Sequence, residues 1–107
     1  MPHSVIYKAK ANQDLNDIFT FILTQGGSAD RAFNFVERIR AFCDSFASFP
    51  YRGTKRDDLR SGLRFTGFER RVAIAFTIEN DLIVIIRIFY AGRDIDVLGN
   101  EENFTES

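Results

Sequence analysis

The fold is decided by residues 71–90, which read RVAIAFTIENDLIVIIRIFY. Apolar side chains alternate with others through residues 71–79, as they do in a strand with one buried face. Residues 80–81 (Asn-Asp) are a turn signal, and residues 82–90 are nearly all apolar, which predicts a central strand covered on both faces. Arg87 interrupts that strand. Because a buried unpaired charge is costly, we expect a carboxylate or carbonyl inside the protein to pair with it.

Two helices are predicted before this hairpin. Apolar residues recur at steps of three and four from Ala11 to Ile22 and again from Ala32 to Phe46, which places each set on one helix face. Gly26-Gly27 ends the first helix, Ser28 fits the N-cap of the second, and Pro50 ends it. Since only this short turn separates the helices, they must pack antiparallel.

The rest of the chain completes an α+β domain of two layers. Residues 4–8 and 63–68 are predicted strands, whereas the polar and charged residues 51–61 are a predicted loop. The order β-α-α-β-β-β predicts a helical hairpin packed on a twisted, mainly antiparallel four-stranded sheet, whose opposite face stays partly open. We expect residues 1–98 to form the single domain and residues 99–107 to form an acidic, flexible tail.

The composition argues against several classes of function. His3 is the only histidine and Cys43 the only cysteine, so we expect no metal site and no cofactor. Cys43 lies on the apolar stripe of the second helix without an adjacent base, which favours a packing role over nucleophilic catalysis. The chain begins with no signal-peptide pattern and has no long uncharged apolar run. We therefore expect a cytoplasmic protein with no membrane contact and no catalytic residue.

Charge and aromatic residues supply the candidate binding positions. Residues 31–71 hold ten basic against five acidic residues, which indicates either an acidic or polyanionic partner or simply solvated faces. Arg64 and Arg93 lie near predicted strand ends, where each could reach a phosphate or a partner's carboxylate. Four phenylalanines on the flanks of the second helix exceed what its core-facing stripe explains. They are Phe33, Phe35, Phe42 and Phe49.

Four phrases of the sequence, in this order, resemble the ParE toxins of toxin–antitoxin (plasmid stabilisation) modules. Together they extend over nearly the whole of residues 5–98. They are AxxDLxxIxxFI at 11–22, AxxFxxxI at 32–39, PxxGxxRDDLRxGLR at 50–64 and IRIxxxGRD at 86–94.

The resemblance implies a RelE/ParE-type fold, a cognate ParD-like antitoxin and inhibition of DNA gyrase by the free toxin. An amphipathic antitoxin helix would then use Phe33, Phe35, Phe42 and Phe49 as anchors, unless all four complete the core. Arg64, Tyr90 and Arg93 are the candidate contacts to the target. Tyr90 stands where ParE-like chains often have histidine. Nucleic acid would be contacted only indirectly, through the antitoxin or the target.

Two alternatives remain open at this point. RelE-type relatives cleave mRNA on the ribosome, which needs a base for the 2′-hydroxyl and an acid for the leaving oxygen. No Tyr, His or Lys follows Arg93, so the proton carriers of that branch are missing and we expect no enzymatic activity. The other alternative is a module that binds an antitoxin but is no longer toxic.

Overall fold

A computed structural model provides the structure of the protein and describes residues 3–90. The elements follow in the order β1 (Ser4–Tyr7), α1 (Ala9–Thr24), α2 (Ala29–Asp44), a 3₁₀ turn (Ser45–Ala47), β2 (Thr54–Lys55), β3 (Arg64–Phe68), β4 (Val72–Glu79) and β5 (Leu82–Tyr90). The predicted helical hairpin on a sheet is confirmed. No helix in the described range is long and apolar enough to cross a membrane.

The connection between the helices follows the sequence signals. Gly26 has a φ of 89° directly after the C-cap of α1, a conformation that glycine adopts without a steric penalty. The Ser28 hydroxyl then accepts a hydrogen bond from the Arg31 backbone N–H at 3.1 Å and caps α2. Helix α2 ends at Asp44, six residues before Pro50, which the sequence analysis expected to end it. The Ser45 hydroxyl donates to the Phe42 carbonyl at 2.5 Å and so competes with the helical ladder.

The sheet is mixed and has five strands in the order β1-β5-β4-β3-β2. The expected four-stranded, mainly antiparallel sheet needs two refinements. Strand β1 pairs in parallel with β5, and the additional β2 lies within the stretch predicted as a loop. Strand β2 has only two residues, too few to show a periodicity. At Gly53, just before β2, a Cβ atom would collide with the Phe65 carbonyl, so the two backbones can approach only because this residue is glycine.

A β-bulge lets strand β5 serve both faces of the sheet. Ala75 pairs with Arg87 but Phe76 pairs with Ile85, so Ile86 is an extra residue in the ladder. The shift turns Ile85 and Ile88, three positions apart, to the helix-covered side. The other side carries a second buried cluster, so the expectation of a partly open sheet face is wrong for its centre. That cluster comprises Leu63, Ala75, Val84, Ile86 and Phe89.

Arg87 has the internal partner that its position requires. Its Nε and Nη2 donate to the two carboxylate oxygens of Asp14 on α1, at 2.8 and 3.0 Å. The same carboxylate accepts the Ile88 backbone N–H at 2.8 Å, beyond the point where the pairing of β1 with β5 ends at Tyr7. Asp14 therefore neutralises a half-buried cation and takes the place of a strand partner for one backbone amide.

Candidate functional site

A cleft of about 750 Å³ opens between the end of α1, the face of α2 and the turn that joins β3 to β4. Its position follows from the fold, because the turn between β3 and β4 and the last residue of β5 both end beneath the helical hairpin. Ten of residues 3–90 line the cleft: Phe21, Ile22, Gln25, Gly27, Arg31, Phe35, Arg38, Glu69, Arg71 and Tyr90.

Aromatic rings form the floor of the cleft. The Tyr90 ring lies edge-on to Phe21 and Phe35, with ring centroids 5.5 and 5.8 Å apart. Tyr90 and Phe35 are each only 8% exposed, so their rings belong to the core and expose little of their surface to the cleft. The floor is thus apolar and rigid, with the Tyr90 hydroxyl as its polar atom.

Three arginines and one glutamate form the rim. Arg71 Nη1 donates to the Tyr90 hydroxyl at 3.3 Å. Arg38 donates through two nitrogens to the two carboxylate oxygens of Glu69, at 2.9 and 3.0 Å, and its guanidinium lies 5.1 Å from the Phe35 ring centroid. This hydrogen-bonded guanidinium holds the pKa of Glu69 below its usual value. With Arg31, the rim carries a formal charge of +2.

The turn that carries Glu69 is conformationally strained. Glu69 and Arg70 have φ values of 49° and 64°, both in the left-handed region, and the Arg71 N–H donates to the Phe68 carbonyl at 3.2 Å. Two-residue turns of this kind normally use Asn or Gly, because left-handed backbone costs other residues about 1–2 kcal/mol each. The Arg38–Glu69 pair fixes one of the two strained residues to α2.

The four candidate antitoxin anchors comprise one buried, one half-buried and two exposed side chains. Phe35 lies in the core, and Phe42 packs against it, stacked on Phe68 with ring centroids 4.7 Å apart. Phe33 and Phe49 are 56% and 70% exposed. Phe33 lies in the first turns of α2 and Phe49 beyond its C-terminal end, so at least about 16 Å along the axis separates them. The four side chains thus differ in exposure, and the two exposed ones lie near opposite ends of α2.

Two of the candidate target contacts, Arg64 and Tyr90, lie at different ends of the sheet. Arg64 begins β3, where its Nε donates to the Arg52 carbonyl at 3.0 Å. Tyr90 pairs with Val72, which faces Phe68 at the other end of β3. The four residues from Arg64 to Phe68 span about 13 Å of strand. Arg93 lies outside the described residues.

The family described as "ParE toxin of type II toxin-antitoxin system, parDE" matches residues 5–95. The chain belongs to this family. A similar solved structure, the "chromosomal ParDE TA system from P. aeruginosa", has a TM-score of 0.71 and 24% identity, covering 82% of this chain and 95% of that one. The RelBE2 toxin-antitoxin complex from Mycobacterium tuberculosis has a TM-score of 0.60 and 14% identity, covering 84% and 99%. These likenesses are of fold. No curated protein matches the sequence.

In this ParE-type toxin, Cys43, which the sequence analysis weighed as a nucleophile, and its neighbour Tyr7 both pack inside the fold. Cys43 is fully buried, and burial raises the pKa of its thiol to about 12. Burial also raises the pKa of the Tyr7 phenol, which donates to the Asp44 carboxylate at 3.1 Å. Within residues 3–90, no group of three His, Cys, Asp or Glu side chains is placed to hold a metal ion.

Sequence reasoning missed the arginines of the toxin's cleft. Arg31, Phe35 and Arg38 are four and three positions apart, which is the spacing of neighbours on one helix face. That signal was available, and it would have identified a basic helix face with an aromatic residue at its centre. No sequence pattern indicated that Glu69 and Arg71 would line the cleft. The turn that presents them contains no glycine, so it could not be recognised as a tight turn.

Proposed function

We propose that this toxin is neutralised by a cognate ParD-like antitoxin and that the free toxin inhibits DNA gyrase without catalysing a reaction. Family membership supports a toxin–antitoxin role, and both structural neighbours come from toxin–antitoxin systems by their titles. The observation that best supports an antitoxin partner is the exposure of three aromatic side chains on or near α2. Phe33, Phe49 and Tyr51 are 56%, 70% and 74% exposed. Exposed aromatic side chains of this size are typical anchors of protein interfaces.

The choice of gyrase rests on the family and on the surroundings of the proton carriers. General acid–base cleavage of RNA needs two groups that can exchange protons beside the phosphate. Tyr7 is engaged by Asp44, and the Tyr90 ring is buried with its hydroxyl on Arg71. These arrangements favour a toxin that binds its target over one that cleaves it.

One arrangement favours the RelE-type ribonuclease as a second candidate. Tyr51 is the exposed phenol of the described chain, and the Arg64 guanidinium lies 5.9 Å from its ring centroid. A phenol beside a cation could serve a phosphodiester. Tyr51→Phe keeps the ring and removes the hydroxyl, so it separates a catalytic role from a binding role.

The test expresses the toxin with and without the reading frame that adjoins its gene. We expect growth arrest that the neighbour relieves, and inhibition of gyrase supercoiling by the purified toxin, unchanged in Tyr51→Phe. Undisturbed supercoiling with rapid loss of translated mRNA, abolished in Tyr51→Phe, would favour the ribonuclease instead. Absence of arrest would leave an antitoxin-binding module.

The antitoxin surface is tested on the exposed aromatic residues. We expect Phe33→Ser and Phe49→Ser each to weaken antitoxin binding by about tenfold or more, since a buried ring contributes about 1.5–3 kcal/mol. The melting temperature should change little, because both side chains are exposed. Leu23→Ser, another exposed apolar position, is the matched control. Phe35 and Phe42 are unsuitable for this test, because their loss would destabilise the core.

A further inference from the structure

We propose that the cleft binds an acidic peptide segment of the antitoxin, with a carboxylate held by Arg31 and Arg71 and an adjacent aliphatic side chain on the aromatic floor. This inference rests on the proposed antitoxin partnership and specifies its chemistry. It concerns a different surface from the exposed Phe33 and Phe49, which lie outside the cleft lining.

The available donors are those of Arg31 and Arg71. Arg71 uses one nitrogen in a 3.3 Å hydrogen bond to the Tyr90 hydroxyl, which leaves most of its N–H groups for a ligand. Within residues 3–90, the Arg31 side chain makes no hydrogen bond or ion pair, and its residue is exposed at the start of α2. Two cations on one rim, with an apolar floor behind them, favour an anionic ligand that also has an apolar part.

The rim already binds one carboxylate. Glu69 reaches back from the strained turn and accepts from two of the three donor nitrogens of Arg38 in a two-point contact. This pair shows the geometry in which a guanidinium of the cleft binds an acid. Because Glu69 neutralises only Arg38, the rim retains a net charge of +2 for a second acid.

The floor favours a peptide over a nucleic acid. Proteins that bind single-stranded nucleic acid offer open aromatic faces on which bases stack. Here the Tyr90 ring meets its neighbours edge-on, at interplanar angles of 69° and 65°, and both Tyr90 and Phe35 are almost fully buried. Because Tyr90 and Phe35 expose so little ring surface, an aliphatic side chain can pack against them more readily than a base can stack on them.

The experiment uses the complex of the full-length toxin with the protein encoded next to it, purified after co-expression. Dissociation constants are measured for the wild type and for Arg31→Glu and Arg71→Glu. The matched control is Lys55→Glu, the same charge reversal at an exposed position on the far edge strand β2. We expect each cleft variant to bind about 10- to 100-fold more weakly, and the control less than threefold.

A charge swap locates the contact on the partner. Each acidic residue of the co-purified partner is changed to Arg in turn. One such change should make the partner bind the Arg71→Glu toxin at least tenfold more tightly than the unchanged partner does. The same change should not improve binding to the Lys55→Glu toxin. Thermal unfolding of each toxin variant checks that the fold is intact.

Several results would overturn the inference. Unchanged affinity of both cleft variants in a complex that forms normally would refute the cleft as the docking site and leave the antitoxin proposal intact. Failure of the wild type to form any complex would refute the antitoxin proposal itself. Stronger binding by a Glu101→Gln/Glu102→Gln variant, abolished by Arg71→Glu, would assign the cleft to the chain's own acidic residues. Binding of a 20-nucleotide single strand that is equally sensitive to Arg71→Glu would assign it to nucleic acid.

Discussion

The Asp14–Arg87 and Arg38–Glu69 ion pairs have nearly the same local geometry and very different surroundings. In both, two guanidinium nitrogens meet two carboxylate oxygens at 2.8–3.0 Å. The side chains of Arg87 and Asp14 are 13% and 12% exposed, whereas those of Arg38 and Glu69 are 52% and 40% exposed. The first pair joins α1 to the central strand, and the second joins α2 to a turn at the rim of the cleft.

The difference shows that water, rather than distance, sets the strength of each pair. Low dielectric surroundings make a half-buried charge expensive to leave alone, so Asp14 and Arg87 depend on each other. Water screens the exposed pair, which can open at little cost. The same kind of ion pair therefore has two roles. The buried Asp14–Arg87 pair holds α1 to the sheet, whereas a ligand could rearrange the exposed Arg38–Glu69 pair.

Loss of Asp14 should give the largest effect. Asp14→Ala removes the carboxylate that binds the Arg87 guanidinium at two points, and it also removes the acceptor of the Ile88 N–H. We expect a loss of about 3–5 kcal/mol in the free energy of unfolding, measured by urea denaturation. Glu69→Ala is the matched control and should cost less than about 1 kcal/mol. Equal losses in the two variants would contradict the role assigned to burial.

Replacement of both buried partners should cost less than removal of one. In Asp14→Leu/Arg87→Met both charges of this pair are removed together, and the Ile88 amide loses its acceptor, at about 1–3 kcal/mol. Urea denaturation of the double variant and of both single variants gives the coupling energy. A double variant as unstable as Asp14→Ala would show that the backbone acceptor, and not the charge, is what matters.

Relief of strain at the exposed turn should have a smaller effect with the opposite sign. Arg70→Gly removes one left-handed non-glycine residue and keeps the Arg38–Glu69 pair. We expect a gain of about 0.5–1 kcal/mol, reduced from the full strain energy by the greater freedom of glycine in the unfolded chain. Gly67→Ala in the neighbouring strand is the control and should not stabilise the protein. Destabilisation by Arg70→Gly would show that the turn carries no strain.

Acid should weaken the exposed pair and produce the smallest effect. The pKa of Glu69 is lowered in the folded protein, so its stabilising contribution is present above its ordinary value of 4.5 and is lost as the pH falls below that. We expect the stability difference between the wild type and Glu69→Gln to be a few tenths of a kcal/mol at pH 6 and to vanish near pH 3. A stability difference between the wild type and Glu69→Gln that grows as the pH falls would contradict a lowered pKa of Glu69.

The sequence predicted most of the architecture where periodicity was strong. Strand β5 spans residues 82–90 as expected, and the internal pairing of Arg87 is confirmed. Its partner could not be chosen in advance, because Asp14 lies 73 positions away and carries no mark that distinguishes it from other acids. Strand β2 was missed because two residues have no pattern.

The candidate site was less predictable for a related reason. The sequence indicated a Phe-rich surface on α2, but it could not separate the buried Phe35 from the exposed Phe33, which are two positions apart. The cleft needs four elements to meet, and the turn that presents Glu69 lacks the glycine that usually marks it. Contacts between distant elements arise from tertiary packing, which local propensity does not encode.

The parallel pairing of β1 with β5 has a consequence for how the toxin is made. During synthesis the N-terminal strand appears first, but its partner, Leu82–Ile85, appears only when most of the chain has been translated. Contacts of such long sequence separation form slowly, because a large loop must close before any pairing is gained. We therefore expect the new chain to pass through a period without its finished sheet edge. In that interval the antitoxin proposed above would meet a chain whose sheet still lacks the pairing of β1 with β5.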